Sequence, residues 1–256
     1  MKLNNILFNT LFKSKSAKII RNLLNIKKTN LLLDYTKKNV SVSDSFFWRV
    51  DKNFSTIFKF NDLLKFFYND DSSNVILFFF DSNFNLIKQI DINSFKINEN
   101  LTIDQKFLGL AEGFGSFYIF HNTKKDLKSI IRNSCYTGYT FKGSIPSFVH
   151  GNLQGATKNF DSDKIKFGLG ANSLFSNNIY VVQNEMKFDK TEIIFVNNCN
   201  SNVKFYLDED KVIIKKGHTK IIDILDRQII SLKSNAYLLR PIIFNYKGEF
   251  LDVYHG

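Results

Sequence analysis

The sequence is poor in several residues and patterns that mark particular protein classes. Only two cysteines occur in 256 residues, and Cys135 and Cys199 belong to no CxxC pair or zinc-binding spacing. Two isolated thiols are typical of a reducing compartment, so we expect both to be free and the protein to be cytoplasmic. No apolar run approaches the roughly 20 residues of a membrane-spanning helix, so no membrane span is predicted.

Motifs that would identify an enzyme or a cofactor site are also missing. The sequence has no HExxH, P-loop, GxSxG or EF-hand pattern, and GLGAN at 168–172 lacks the spacing of a dinucleotide cradle. His121, His150 and His255 each end an aromatic, strand-like run, but nothing local fixes any two of them together. We therefore predict no metal and no cofactor, and no catalytic residue is identified.

Positive charge is concentrated at one end of the chain. The net charge is +11, and residues 1–40 hold nine basic residues against Asp34 alone. The remainder is nearly balanced, and its basic residues are mostly Lys rather than Arg, which is the better residue for phosphate recognition. Nucleic-acid binding is therefore an unlikely function.

Residues 1–42 predict a basic amphipathic helical arm, because Ile and Leu recur at three- and four-residue spacing with Lys and Asn between them. Such a helix suits association with an anionic membrane surface or, as a weaker alternative, with nucleic acid. The interpretation that we favour is packing of the apolar stripe against a second copy of the chain. A homo-oligomer is therefore expected.

The period changes from helical towards β at Ser43. Short apolar strands alternate with turn residues, and helical pattern is too scarce to supply the crossovers of parallel sheets. Two short helices are predicted, at Asn61–Tyr68 with Asn61 or Asp62 as its cap, and at Thr123–Ser134. The fold class that follows is mainly β, built from antiparallel sheets packed as sandwiches.

An internal echo predicts a duplication. FKGSIPSFVHG at 141–151 and YKGEFLDVYHG at 246–256 share Lys-Gly and His-Gly in register, and Ser-Asn-Val and Ile-Asp-Ile also recur at 73–92 and 201–224. We interpret these echoes as two related β-sandwich units, at 43–152 and 178–256. Superposition of the units is expected to bring His150 onto His255.

The intervening residues 153–177 are rich in Gly and Asn and are predicted to be a linker. Tyrosine faces stack on apolar ring surfaces, while Asn and His donate directional hydrogen bonds to hydroxyl groups. We therefore predict a non-catalytic binding or assembly module for a polar, carbohydrate-like ligand. Its predicted site residues are Tyr136, Tyr139, His150, Gly151 and Asn152.

A carbohydrate-active hydrolase, lyase or isomerase is the alternative. It requires His150 to meet Tyr139, Arg132 or Asp252 in one pocket.

Overall fold

The computed structural model describes residues 14, 16–17, 19–20, 39–92, 100–132, 135–170, 172, 177–183, 187–207, 210–224, 229–236 and 240–256. Of the predicted helical arm at 1–42, the structure describes residues 14, 16–17, 19–20 and 39–42, and the first strand begins at Val40. Within the described residues there are nineteen strands and two short helices, which confirms the prediction of a mainly β protein.

The strands of the first half of the chain are β1 (Val40–Val50), β2 (Phe54–Lys59), β3 (Asn74–Asp81), β4 (Leu86–Ile92), β5 (Asn100–Ile103), β6 (Gly113–Asn122), β7 (Ile130–Arg132), β8 (Tyr136–Phe141), β9 (Ser147–His150), β10 (Asn152–Asn159) and β11 (Ile165–Phe167). Those of the second half are β12 (Asn178–Gln183), β13 (Lys190–Val196), β14 (Val203–Leu207), β15 (Asp210–Ile214), β16 (Thr219–Ile224), β17 (Ile229–Ser234), β18 (Ile242–Lys247) and β19 (Phe250–His255). The helices are α1 (Leu63–Tyr68) and α2 (Gln105–Leu108).

The strands form four sheets. Sheet I has the order β11-β10-β1-β6-β3-β4, with β7 added beside β1, and sheet II has the order β5-β2-β8-β9. Sheet III is β12-β17-β14-β15, and sheet IV is β16-β13-β18-β19. Neighbouring strands run antiparallel, except that β7 is parallel to β1. The prediction of antiparallel sheets is therefore confirmed.

Each half has a core between two facing sheets. Phe46 and Phe117 of sheet I pack against Phe58 of sheet II, with ring centroids 4.9 and 4.8 Å from that of Phe58. In the second half, Phe195 of sheet IV stacks on Phe205 of sheet III with ring centroids 4.3 Å apart. Because side chains alternate along a strand, each sheet contributes every second residue to its core.

Sheet IV is buried on both faces. Ile193 faces sheet III, whereas the next residue, Ile194, joins a separate core cluster with Tyr139 of sheet II. Phe244 and Tyr139 contact each other across this cluster with ring centroids 4.7 Å apart. Burial on both faces explains why β13 contains the continuous apolar run Ile193–Val196 rather than an alternating pattern.

A buried ion cluster also joins the halves. Glu192 of β13 accepts hydrogen bonds from Arg49 Nη1 of β1 and from Lys190 Nζ, each at 2.7 Å. The hydroxyl of Tyr246 donates to the same carboxylate. Only 4% of the Glu192 side chain is exposed, so its charge depends on these three partners.

The two halves have the same strand order. The run β1-β6-β3-β4 of sheet I corresponds to β12-β17-β14-β15, and β5-β2-β8-β9 corresponds to β16-β13-β18-β19, with corresponding strands in the same order along the chain. The hairpins that carry the His-Gly echo, β8–β9 and β18–β19, take matching places. The Ile-Asp-Ile echo does not mark equivalent strands, because it falls in β4 in one half and in β16 in the other.

The structure also differs from the expected boundaries. Much of the predicted linker at 153–177 is instead β10 and β11, which extend sheet I. The helix α1 confirms the prediction at Asn61–Tyr68, and its cap is Asp62, whose side chain accepts from the amides of Leu64 and Lys65.

The helix predicted at Thr123–Ser134 is wrong. Ile130–Arg132 forms β7, which pairs with β1 and buries Ile131. An isolated helix of about 12 residues is only marginally stable, whereas strand pairing satisfies the same backbone groups and buries an apolar side chain. Asn39 also holds the preceding loop, because its side-chain oxygen accepts from the Lys128 amide at 2.7 Å.

Candidate functional site

One face of sheet II is open. Phe54, Phe58 and Tyr139 point to the buried face, so the residues between them in β2 and β8 point to the other side. There Tyr136 lies opposite His150, and Gly138 lies opposite Phe148. Two of the predicted site residues, Tyr136 and His150, are therefore brought together.

Tyr136 and His150 form a tilted ring pair. Their ring centroids are 4.4 Å apart and their planes are inclined by 40°. The pair is exposed, with 43% of the Tyr136 surface accessible. An exposed cross-strand ring pair offers an apolar ring surface with a phenol hydroxyl and imidazole nitrogens at its rim.

Phe148 extends this surface over a glycine. A Cβ atom at Gly138 would lie 2.5 Å from the Phe148 ring, so only glycine lets the ring lie close against β8. Lys59 Nζ lies 4.3 Å from the centroid of the same ring, a cation–π contact. We call Lys59, Tyr136, Phe148 and His150 the aromatic face.

A polar groove lies at the other end of the open side of sheet II. Ser55 and Thr140 sit on the floor, where their hydroxyls are 2.6 Å apart. The groove has a volume of about 430 Å³ and is lined by Asp51, Lys52, Asn53, Phe54, Ser55, Asp104, Gln105, Lys106, Thr140 and Gly143. Because Gly138, opposite Phe148, is two residues from Thr140 in β8, the near edge of the aromatic face is about 7 Å from the groove along one strand.

Tyr139 is not part of this site, contrary to the prediction. It is three residues from Tyr136 and so lies on the opposite face of β8, fully buried. Its hydroxyl donates to the Phe47 carbonyl at 3.0 Å, and burial raises the pKa of Tyr139 well above its usual value. The predicted enzyme pocket that combines His150 with Tyr139 is therefore not formed.

Gly151 and Asn152 are also buried and serve the fold beneath the aromatic face. A Cβ atom at Gly151 would lie 2.4 Å from the Phe46 ring and 2.8 Å from the Asp44 Cβ atom. Asn152 pairs with Ser45 at the start of β10 and lines a narrow cavity together with Arg240. Neither residue is exposed on the open side of sheet II.

An ion pair lies beside Gly151. Asp44 sits at a bulge in β1, and its two carboxylate oxygens accept from Arg132 Nε and Nη2 at 2.9 and 3.0 Å. Burial raises the pKa of Asp44 to about 6, although Arg132 acts in the opposite direction.

Burial, followed by the charge of Asp44, raises the pKa of the neighbouring Cys135 thiol well above its usual value. Cys135 is therefore an inert core thiol. The guanidinium of Arg132 donates its hydrogen bonds to Asp44 rather than to His150.

The remaining candidate residues of the predicted enzyme and metal sites lie elsewhere. Asp252 is exposed on β19 opposite Asn245. His121 is buried with its Nδ1 atom 3.5 Å from Asp62, whereas His255 contacts the backbone of β9. Among the described residues, no group of three or more His, Cys, Asp or Glu side chains is arranged to hold a metal ion.

Sequence reasoning missed Lys59, Gly138 and Phe148. The available signal was the alternation of side chains, because Phe148 and His150 are two residues apart and share a face. Which face of the sheet would stay open depends on how sheet IV covers sheet II, and no local pattern contains that information.

No helix in the described part of the chain is both long enough and apolar enough to cross a membrane. No family model matches the sequence, and no curated protein is significantly similar to it.

Proposed function

We propose that this protein is a non-catalytic binding module that holds a carbohydrate-like ligand on the aromatic face. The observation that carries the proposal is the exposed Tyr136–His150 pair, continued by Phe148 on Gly138. Sugar rings present apolar C–H surfaces that pack on aromatic rings, and hydroxyls that need directional hydrogen-bond partners. The polar groove along β8 supplies such partners through Ser55, Thr140 and Asn53.

We further propose that the two halves are copies of one duplicated sandwich unit, which the shared strand order supports. The side of sheet IV that corresponds to the open side of sheet II is the one buried against the first half. A ligand therefore finds this side accessible only in the first half. This asymmetry supports placement of the site around Tyr136 and His150 rather than around His255.

A glycan array followed by calorimetric titration of the best-bound glycan tests the proposed ligand class. We expect Tyr136→Ala and Phe148→Ala each to weaken binding about tenfold, the effect of losing roughly 1.4 kcal/mol of ring contact. Phe250→Ala is the matched control, because Phe250 is a 71% exposed aromatic residue at the start of β19. The proposal fails if no glycan binds the wild-type protein, or if the control weakens binding as much as the site variants.

We propose in addition that the part of the arm before Asn39 and β1, residues 1–38, joins protomers. No described residue before Val40 belongs to a buried apolar cluster. The core that the structure describes is therefore complete without those earlier residues. Deletion of residues 1–38 leaves Asn39 and β1 intact. We expect the shortened protein to fold and to show a lower mass by light scattering, and an unchanged mass would contradict this role.

A further inference from the structure

The outer face of sheet III is open and carries both lysines and aliphatic residues. Tyr180, Phe205 and Leu232 point inward to the core shared with sheet IV, so the residues that alternate with them point outward. We call this outer set the basic face, and its described members are Ile179, Val181, Lys204, Tyr206, Lys211, Ile213, Ser231 and Lys233.

The strand register places these side chains next to one another. Ile179 lies opposite Lys233, and Lys233 lies opposite Tyr206, which in turn lies opposite Lys211. One row therefore crosses all four strands. The aliphatic members are well exposed, at 69% for Ile179, 61% for Val181 and 48% for Ile213.

The charges on this face have one sign, since none of its described side chains is acidic. Lys204 lies opposite Ile213, and Lys215 and Lys216 are exposed just beyond the end of β15. Asp210, which precedes Lys211 in β15, lies opposite Leu207 and so alternates with the residues of this face.

The fold does not require this face to be open. In sheet I, whose strands have the corresponding order, the outer face buries Phe80, Tyr118 and Phe120 beneath Phe84 and Phe167. An exposed cluster of aliphatic side chains on only one of two corresponding sheets is typical of a surface that meets a partner.

The positive charge of the basic face indicates which kind of partner can bind it. A second basic face would repel this one, and so would the arm, in which residues 1–40 hold nine basic residues against one acid. The partner is therefore anionic. Lysine is depleted at protein–protein interfaces, which argues against a protein partner. Single-stranded nucleic acid needs several aromatic rings for base stacking, and Tyr206 is the one aromatic residue among the described members of this face.

We propose that the basic face docks on an anionic phospholipid surface. The lysines meet lipid headgroups, and Ile179, Val181 and Ile213 reach the boundary of the acyl region. Lysine suits this task because it acts as a point charge towards diffuse negative charge, with no need for paired geometry.

The test is co-sedimentation of the full chain with vesicles of phosphatidylcholine alone or mixed with phosphatidylserine. The face variant carries Lys204→Gln, Lys211→Gln and Lys233→Gln. The control variant carries Lys124→Gln, Lys164→Gln and Lys166→Gln, which are exposed lysines of the first half with the same change in charge. The basic arm is present in every sample, so the difference between variants reports on the face alone.

We expect binding to mixed vesicles only, about a hundredfold weaker for the face variant and little changed for the control, since each of the three lysines near an anionic surface strengthens binding roughly fivefold. A second variant, Ile179→Asn with Val181→Asn, is expected to weaken binding without any change in charge. Equal binding by the face and control variants would overturn the proposal, as would equal binding to neutral vesicles. It would also be overturned if oligo-dT, but not the vesicles, distinguished the face variant from the wild type.

Discussion

The Nε2 atom of His255 lies 2.8 Å from the carbonyl oxygen of His150, so the two His-Gly sequences that echo each other along the chain are in contact. A second bond runs beside it, from the Val253 amide to Ser147 Oγ at 3.0 Å. The edge strands β19 and β9 are therefore joined, and with them sheets IV and II. The expected superposition of His150 on His255 stays a prediction, but their surroundings differ, because His150 is exposed and His255 is half-buried.

His255→Gln is expected to reduce the loss of stability in mild acid. Burial lowers the pKa of His255 below its usual value of about 6.5. The unfolded chain then takes up the proton more readily, so stability is lost as the pH falls below about 6.5. Urea denaturation at pH 7.5 and 5.5 measures this loss. His150→Gln is the control, because the contact uses the His150 backbone, and equal pH dependence of wild type and His255→Gln would contradict the expectation.

Arg49→Met is expected to lower the free energy of unfolding by about 3 kcal/mol, because it leaves the buried Glu192 carboxylate without its closest cation from the first half. The double variant Arg49→Met with Glu192→Met is expected to lose less, since no unpaired charge remains. Urea denaturation of the two single variants and the double variant gives the coupling energy. Additive losses would show that Arg49 and Glu192 act independently.

Asp44→Asn is expected to flatten the pH dependence of stability between about pH 4 and 6. The folded pKa of about 6 lies above the ordinary aspartate pKa of 3.8, so the folded state holds the proton more tightly. Wild-type stability is therefore lost as the pH rises through this window. Carboxyl ¹³C shifts measure the titration, and Arg132→Gln should raise the pKa of Asp44 further because it removes the main opposing charge. A midpoint near 4 would contradict this assignment.

Gly138→Ala is expected to displace the Phe148 ring and cost about 1–3 kcal/mol, since its Cβ atom would overlap that ring. Gly143→Ala is the contrasting variant. At Gly143 φ is +76° with no atom nearby, so its cost of about 1 kcal/mol is backbone strain alone. Lys59 side-chain protons, shifted upfield by the Phe148 ring, should move in Gly138→Ala only. Unmoved Lys59 signals would show that the ring keeps its place.

Local sequence patterns predict the fold class well because they follow from the period of the side chains. The alternation in β2 and the Asp62 cap of α1 are both local signals, and both appear in the structure. The failed helix at Thr123–Ser134 shows the limit, because β7 depends on pairing with β1, which is distant in the sequence.

The candidate site was only partly predictable for the same reason. Side-chain alternation alone separates Tyr136 from Tyr139, which are three residues apart in β8. The burial of Gly151 depends on Asp44 and Phe46, which precede it by a hundred or more positions in the sequence. The amino-acid composition after Gly151 predicts a glycine-rich loop. Pairing with strands that are distant in the sequence instead places much of this segment in β10 and β11.

The cover of sheet II by β18 and β19 has a consequence for the order of synthesis. Phe54, Tyr139 and Val149 leave the ribosome long before Phe244 and Val253, against which they are buried. The nascent first half therefore presents an aromatic surface without its cover until the last hairpin emerges. Chaperones that bind apolar chains have their target on this surface during that interval.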